Sequence, residues 1–273
     1  MKPVSVKALV EFSAKSGSLD RKFTPGPTAL EGIEGHKRVA DNRPENYQKE
    51  VSFSTQYKDL LIRGRADGYQ PDRNCIEEIK TFYGDFNKIP ENHRILHWAQ
   101  AKMYGWMWCK QYEKNEVSLA LVYFHLGDGE EHRLEQVFSI KELEVYCLEL
   151  IVKYYEWQQK INARLIRLNS WCDQLSFPYP ELHPPQRQMA EAVYKSAATG
   201  RVLLAEAPTG TGKTLAGIFP AIKSFNKTPV DKVFYLTAKT TGKQLALDNV
   251  QLIATDSINT PLRALELTAQ EKA

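Results

Sequence analysis

The chain has 273 residues, 42% of them hydrophobic and 25% charged, with a formal net charge of +3. That balance describes a folded chain of one or two domains and excludes a disordered or low-complexity polymer. The slight positive excess permits a nucleic-acid partner without requiring one. The opening run MKPVSVKALVEFS lacks the apolar core of a secretory signal, and no apolar stretch reaches the length of a membrane span, so a cytoplasmic chain with no membrane partner is expected. Cys75, Cys109, Cys147 and Cys172 lie far apart without a CxxC pair, which suits reduced core thiols better than a zinc or disulfide framework.

In chain order, TALEGIEGHKRVADNRPENYQ predicts a helix with loose ends, and VSFSTQYKDLLIRGRADGY followed by CIEEIKTF predicts antiparallel strands. NHRILHWAQAKMYGWMWCKQY predicts a helix. VSLALVYFHL and EHRLEQVFSI, joined by a GDGE turn, predict a hairpin, and KELEVYCLELIVKYYEWQQKINARLIRLNSWC one long amphipathic helix. The prolines of DQLSFPYPELHPP then break helical periodicity, which places a linker at residues 173–185 between a domain at 1–172 and another at 186–273. Beyond it, QRQMAEAVYKSAATG predicts a helix, RVLLAEA a buried strand, TGKTLAGIFPAIKSF a helix and DKVFYLTAK a second strand. The expected fold class is an α+β core followed by a partial α/β domain built on a βαβ unit.

The stretch RADGYQPDRNCIEEIKT at residues 65–81 crowds four acids and a lysine around one turn. With the loop centred on Asp72 and Arg73, the antiparallel register sets Asp67 opposite Glu78, on one face of the sheet. Two carboxylates so placed repel unless a positive charge lies between them. Lys80 shares that face by the strand period of two, and a divalent cation could also be held there. Asp72 at the apex and Glu77 on the other face are poor ligand candidates, and a hairpin whose charges merely face water is the plain alternative.

These motifs together resemble the RecB-like branch of the PD-(D/E)XK nuclease superfamily. GRADG followed by EIK is similar to its acidic motif, through Asp67, Glu78 and Lys80; GIEGH supplies His36 where the family often places a histidine metal ligand, and QAKMY supplies Gln100 and Tyr104 as a QxxxY element near the scissile DNA. The resemblance covers roughly residues 20–140 and implies a restriction-endonuclease-like core that hydrolyses DNA with Mg²⁺ or Mn²⁺. His36, Asp67, Glu78 and the Ile79 carbonyl are the ligands it implies, Lys80 the residue that orients water or shares transition-state charge, and single-stranded or branched DNA the substrate. Each residue also has a plainer reading: Lys80 as a salt-bridge partner of Glu78, His36 as a helix-surface or capping residue, Gln100 and Tyr104 as helix packing. Trp98, Trp106 and Trp108 read as core rather than base-stacking platforms, and Glu50 as a solvated strand end.

AEAPTGTGKT at residues 205–214 has a mechanism of its own. A glycine-rich turn between a strand and a helix aims backbone N–H groups at a phosphate, with Lys213 reaching the β and γ phosphates and Thr214 ligating Mg²⁺ of ATP. Ala207 stands where the strict pattern has glycine, but Thr209, Gly210, Thr211 and Gly212 retain the turn. The segment closely resembles the start of a DinG/XPD-type superfamily 2 helicase: EAPTGTGKT as motif I, PPQRQM as a Q motif with Gln186 reading adenine and Gln188 as fallback, and VFYLTAKTTGKQ as motif Ia with Thr237 and Thr240 near a DNA backbone.

That resemblance implies a chain in which nuclease and helicase are joined, acting in DNA repair or processing. An acidic motif II, a second motor domain and a 4Fe-4S insertion belong to the full-length helicase and do not occur in these residues, so the chain reads as a fragment that binds nucleotide without unwinding DNA. Two alternatives stay open. One is a non-catalytic DNA-binding or loading module of a helicase, the other a small P-loop NTPase, which leaves the upstream acids unexplained.

Overall fold

A computed structural model of the chain describes residues 3–17, 26–208, 210–237, 240–254 and 260–267. They form two compact units, Met1–Gln158 and Gln159–Ala273.

The first unit is built on a mixed sheet. Strand β1 (Pro3–Ser5) leads into helix α1 (Val6–Ser13), and helix α2 (Ala29–Asp41) precedes the hairpin of β2 (Gln48–Tyr57) and β3 (Leu60–Gln70). Then follow β4 (Cys75–Phe82), helix α3 (Glu91–Tyr112), β5 (Glu116–His125), β6 (Glu131–Ser139) and helix α4 (Ile140–Gln174). The sheet runs β1-β3-β4-β5-β6, with β2 also on β3. β3 and β4 are antiparallel, whereas β4 and β5 are parallel and joined through α3, as a parallel pair requires.

Local sequence explains the elements that carry the site. Thr28 and Glu31 close a reciprocal capping box at the start of α2. The β3–β4 connection is a single 3-10 turn, Pro71–Arg73, followed by Asn74 in the left-handed region, a conformation asparagine tolerates. β5 is buried along nearly its whole length because helices cover both sheet faces. On one face Val39 of α2 packs on Cys75, Ile79, Ala120 and Val122. On the other, α1, α3 and α4 bury Leu9, Met103, Trp106 and Ile151 against Ile62, Ile76, Leu119 and Leu121. Each large apolar side chain so buried contributes about 2 kcal/mol. Trp106 and Trp108 are core residues and Trp98 packs at the edge, as expected.

The second unit departs from expectation twice. Its boundary falls within α4 rather than in the proline-rich segment 173–185, because Leu168 and Cys172 of that helix pack with Leu215, Ile218, Phe219 and Ile222. The last turns of α4 thus serve the second core. Helices α5 (Pro184–Thr199), α6 (Lys213–Lys223) and α7 (Thr240–Ala254) form as the periodicity suggests. The two expected strands do not: neither 201–207 nor the described part of 231–239 is in a strand, and the partial α/β sheet is absent among the described residues. Val202 and Leu204 are 99% exposed and Phe234 78%. A buried parallel strand draws its stability from ladder neighbours and from layers on both faces, which apolar composition alone does not supply.

The four cysteines are buried free thiols, and burial pushes Cys75, Cys109 and Cys172 up to about 11 and Cys147 higher still. They are unreactive core groups. Among the described residues no helix is long and apolar enough to cross a membrane.

Candidate active site and nucleotide loop

The first candidate site lies where the sheet forks. β3 and β4 pair at Gln70↔Cys75, Tyr69↔Ile76 and Gly68↔Glu77, and then separate, while the earlier half of β3 pairs with β1. Carried one residue further this register would set Asp67 opposite Glu78, the relation expected from the turn, but the ladder has already ended at Gly68 and Glu77. At the fork the Ile79 amide donates to Asp67 Oδ2 at 2.7 Å, so the side chain takes the place of a ladder partner. The other Asp67 oxygen lies 3.3 Å from His36 Nδ1 of α2.

Glu78 is 1% exposed. Its Oε1 accepts from Lys80 Nζ at 2.5 Å, and its Oε2 is buried without a hydrogen-bond partner. Burial raises the Glu78 carboxyl above the usual carboxylate range, and Asp67 adds to the rise while Lys80 opposes it. For Lys80 burial pulls the ammonium down, but Glu78 and Asp67 together more than reverse that. A buried carboxylate oxygen without a donor, opposite a second carboxylate, is the environment in which a cation compensates charge. Among the described residues no three His, Cys, Asp or Glu side chains converge as a metal-holding group. What fits a hard divalent cation is therefore the acid pair alone, Glu78 Oε2 and Asp67, while His36 adjoins Asp67 without completing a three-ligand group.

Helix α3 contributes the next layer. Gln100 Nε2 donates to the Tyr104 hydroxyl at 3.3 Å, and Tyr104 is 3% exposed. Burial, reinforced by Glu78, raises the Tyr104 phenol and keeps it protonated. Two residues that sequence reasoning missed adjoin Lys80: Tyr123 is its neighbour across the parallel β4–β5 pair, and His97 Nδ1 is hydrogen-bonded to the Tyr123 hydroxyl at 2.9 Å. Burial, with Lys80 adding to it, pushes His97 down to about 3, so the ring is neutral. Its spacing to Gln100 and Tyr104, i, i+3 and i+7 on one helix face, is a signal that could have found it.

The other acids of the turn have structural partners. Asp72 accepts from Asn46 at 2.8 Å, and Glu77 is fully buried among Arg43, Tyr47 and Arg133 on the opposite sheet face. Glu50 is exposed and paired with Arg65, in a left-handed backbone conformation at φ 56°.

In the second unit, the segment before α6 forms a glycine loop. Gly210 and Gly212 have φ of 83° and 68°, a region costly for residues with a Cβ. Thr211 Oγ1 donates to the Pro208 carbonyl at 2.9 Å, and Lys213 Nζ donates to the carbonyls of Ala207 at 3.0 Å and Pro208 at 2.5 Å. Lys213 and Thr214 open α6, whose N-terminal N–H groups favour an anion. Gln186 of α5 is buried with its amide over Gly212, where a Cβ would meet Nε2 at 2.5 Å, whereas Gln188 is exposed. Thr209 and the Thr240 side chain lie outside the described residues, and Thr237 packs against Gly242. The juxtaposition of a buried glutamine, a glycine turn, a lysine and a helix start can seat a nucleotide phosphate.

Residues 183–258 match the DEAD/DEAH box helicase family. The matched segment includes Gln186, the glycine loop and α6. A stretch of 46 residues is 46% identical to a Methanocaldococcus jannaschii protein named "Probable ATP-dependent helicase", covering 17% of this chain and 7% of that relative. The chain thus spans only a small part of the curated relative it matches. Two solved structures share partial similarity. A phage-related exonuclease from Haemophilus somnus is 13% identical with a TM-score of 0.39, over 59% of this chain and 96% of that one. The protein SSO0001 is 19% identical with a TM-score of 0.35, over 55% and 75%.

Proposed function

We propose that the first unit is a RecB-like PD-(D/E)XK deoxyribonuclease dependent on a divalent cation, and that the helicase segment is an ATP-binding module that, in a longer protein, couples strand separation to cleavage in DNA repair or processing. The observation that carries the nuclease reading is Glu78 Oε2, buried without a partner one residue beyond the last β3–β4 pair, where Asp67 accepts from the neighbouring Ile79 amide. Asp67, Glu78, His36 and the Ile79 carbonyl are the donors that would hold Mg²⁺ or Mn²⁺, hard ligands with one imidazole. A cation bound there supplies Lewis acidity to the phosphate and eases deprotonation of water.

The chain's own groups supply the rest. Lys80, which donates to Glu78, would orient the attacking water and share charge that builds on the phosphate. The half-buried Gln100 would offer its amide to the backbone of single-stranded or branched DNA, with the buried Tyr104 hydroxyl holding that amide in place. In the helicase segment Lys213 would exchange its carbonyl contacts for the β and γ phosphates of ATP, with Thr214 on the accompanying Mg²⁺ and Gln186 beside the base.

The test incubates the chain with labelled DNA and Mn²⁺ beside an Asp67→Ala control. Cleavage by the parent and loss in the variant are expected; equal cleavage by both overturns the assignment. The closed Lys80–Glu78 pair favours a second reading, a non-catalytic DNA-binding or loading module. Mn²⁺ titration separates the two, since such a module binds DNA in a salt-dependent way without binding the cation.

A further inference from the structure

The sheet face opposite the acid pair carries a closed charge network. The loop between α2 and β2 supplies Arg43 and Tyr47, and β6 supplies Arg133. Glu77 Oε2 accepts from Arg43 Nε at 2.9 Å and from the Tyr47 hydroxyl at 3.0 Å, and Oε1 accepts from Arg133. The outer ends are satisfied as well: Arg43 reaches Glu131 at 2.8 Å, and Arg133 and Arg73 reach Glu135 at 2.7 and 2.8 Å. Arg43, Arg73 and Arg133 balance Glu77, Glu131 and Glu135, so the network has no surplus charge with which to bind an anion. At its buried centre, removing the glutamate or either of its two arginines would leave a charge short of its partner, whereas the Tyr47 hydroxyl is a neutral third contact.

This network meets the site at one point. Gly68 and Glu77 are Cα partners, the last β3–β4 pair before the fork. Gly68 follows Asp67, and Glu77 precedes Glu78. The Tyr47 phenol lies directly over Gly68, where any Cβ would fall 1.8 Å from its hydroxyl oxygen, and the same hydroxyl bonds Glu77. One side chain thus touches the residue beside each acid. We propose that Tyr47 and Glu77 are positioning residues that fix the point at which β3 leaves β4, and so set the separation of Asp67 and Glu78; their role in cleavage rests on the nuclease reading above. The paired glutamates of β4 divide the work, Glu77 anchoring the backbone from one face and Glu78 facing the site from the other.

The test uses the full chain and two variants. Tyr47→Phe keeps the ring over Gly68 and both arginines on Glu77, so the fold is expected to survive; Glu77→Gln weakens the same contacts from the other side. Mn²⁺ affinity by calorimetry is expected to fall about tenfold, as for losses in the supporting layer of a metal site. The melting temperature of Tyr47→Phe should stay close to that of the parent, and cleavage should recover at saturating Mn²⁺. Without metal, hydrogen exchange at the Ile79 amide reads the fork directly and should quicken in both variants. Parent-like Mn²⁺ affinity together with parent-like exchange at Ile79 overturns the proposal. Failure of the nuclease reading shows differently: parent and Asp67→Ala then match in Mn²⁺ binding, and exchange at Ile79 alone decides whether Tyr47 and Glu77 hold the fork.

Discussion

Lys80 and Glu78 meet at 2.5 Å on one face of β4, and they divide the glutamate into two unlike oxygens, one ion-paired and one buried without a donor. The pair is therefore only half of a compensated site, and the half without a donor lies at the fork beside Asp67.

Lys80→Met should expose what the ion pair contributes. Without the ammonium the Glu78 carboxyl, already raised above its ordinary 4.5, rises further. A folded state that holds the proton more tightly than the unfolded chain loses stability as pH climbs from that ordinary value through the raised one. The variant should thus lose about 3 kcal/mol at pH 8, in the range for breaking a buried pair, and much less at pH 5. Urea unfolding at both pH values checks this, and an equal loss at the two contradicts it.

Asp67 and Asp72 differ sharply despite their proximity in sequence. Asp72 is held by Asn46 at the exposed turn, while Asp67 caps the Ile79 amide at the fork. Asp67→Ala should abolish Mn²⁺ binding and Asp72→Ala should retain it within a factor of about two, since surface changes away from a site have small effects. Loss of binding in Asp72→Ala would place the ligands at the turn.

His97 gives a pH signature independent of metal. Its ordinary value of 6.5 is lowered to about 3 by burial and by Lys80. Between those values the unfolded chain binds the proton and the folded chain does not, so stability present above pH 6.5 is lost as pH falls towards 3. His97→Asn, which can keep a contact with Tyr123, should reduce that acid-side loss by an amount on the order of a few kcal/mol. Thermal melts of parent and variant between pH 7 and 4 measure the difference; parallel curves contradict it.

Gly212→Val tests the nucleotide loop. Its φ of 68° is strained for a β-branched residue, and any Cβ would displace the Gln186 amide that lies 2.5 Å from it. Binding of a fluorescent ATP analogue should fall at least tenfold, for about 1–2 kcal/mol of backbone strain alone, while DNA cleavage by the first unit persists. Unchanged nucleotide affinity would show that Gln186 and Gly212 are not part of that site.

From α2 onward the order of elements in the first unit was legible from local patterning and the proline turn between β3 and β4, whereas the short β1 and α1 at its start were not predicted, since three strand residues that pair with distant β3 leave no local period. The turn also set the register, which is why Asp67 and Glu78 could be paired from sequence and Asp72 set aside. Glu77 was assigned to the other sheet face from its position in the strand, yet its partners were invisible, since Arg43, Tyr47 and Arg133 come from segments far apart in the chain with no shared period. The mapping of His97 onto Tyr123 was hidden for the same reason.

In the second unit the local motif and the tertiary outcome separate. The glycine turn, Lys213 and the start of α6 are short-range features, set by φ preferences and a helix terminus, and the sequence alone determined them. Whether RVLLAEA becomes a strand is a long-range matter, because a strand exists only through neighbours that pair with it, and there it does not form. The same physics governs the first unit: turn chemistry fixed the β3–β4 register, while only the tertiary structure brought Arg43 and Tyr47 of the α2–β2 loop and Arg133 of β6 onto one buried glutamate, because those segments share no local pattern.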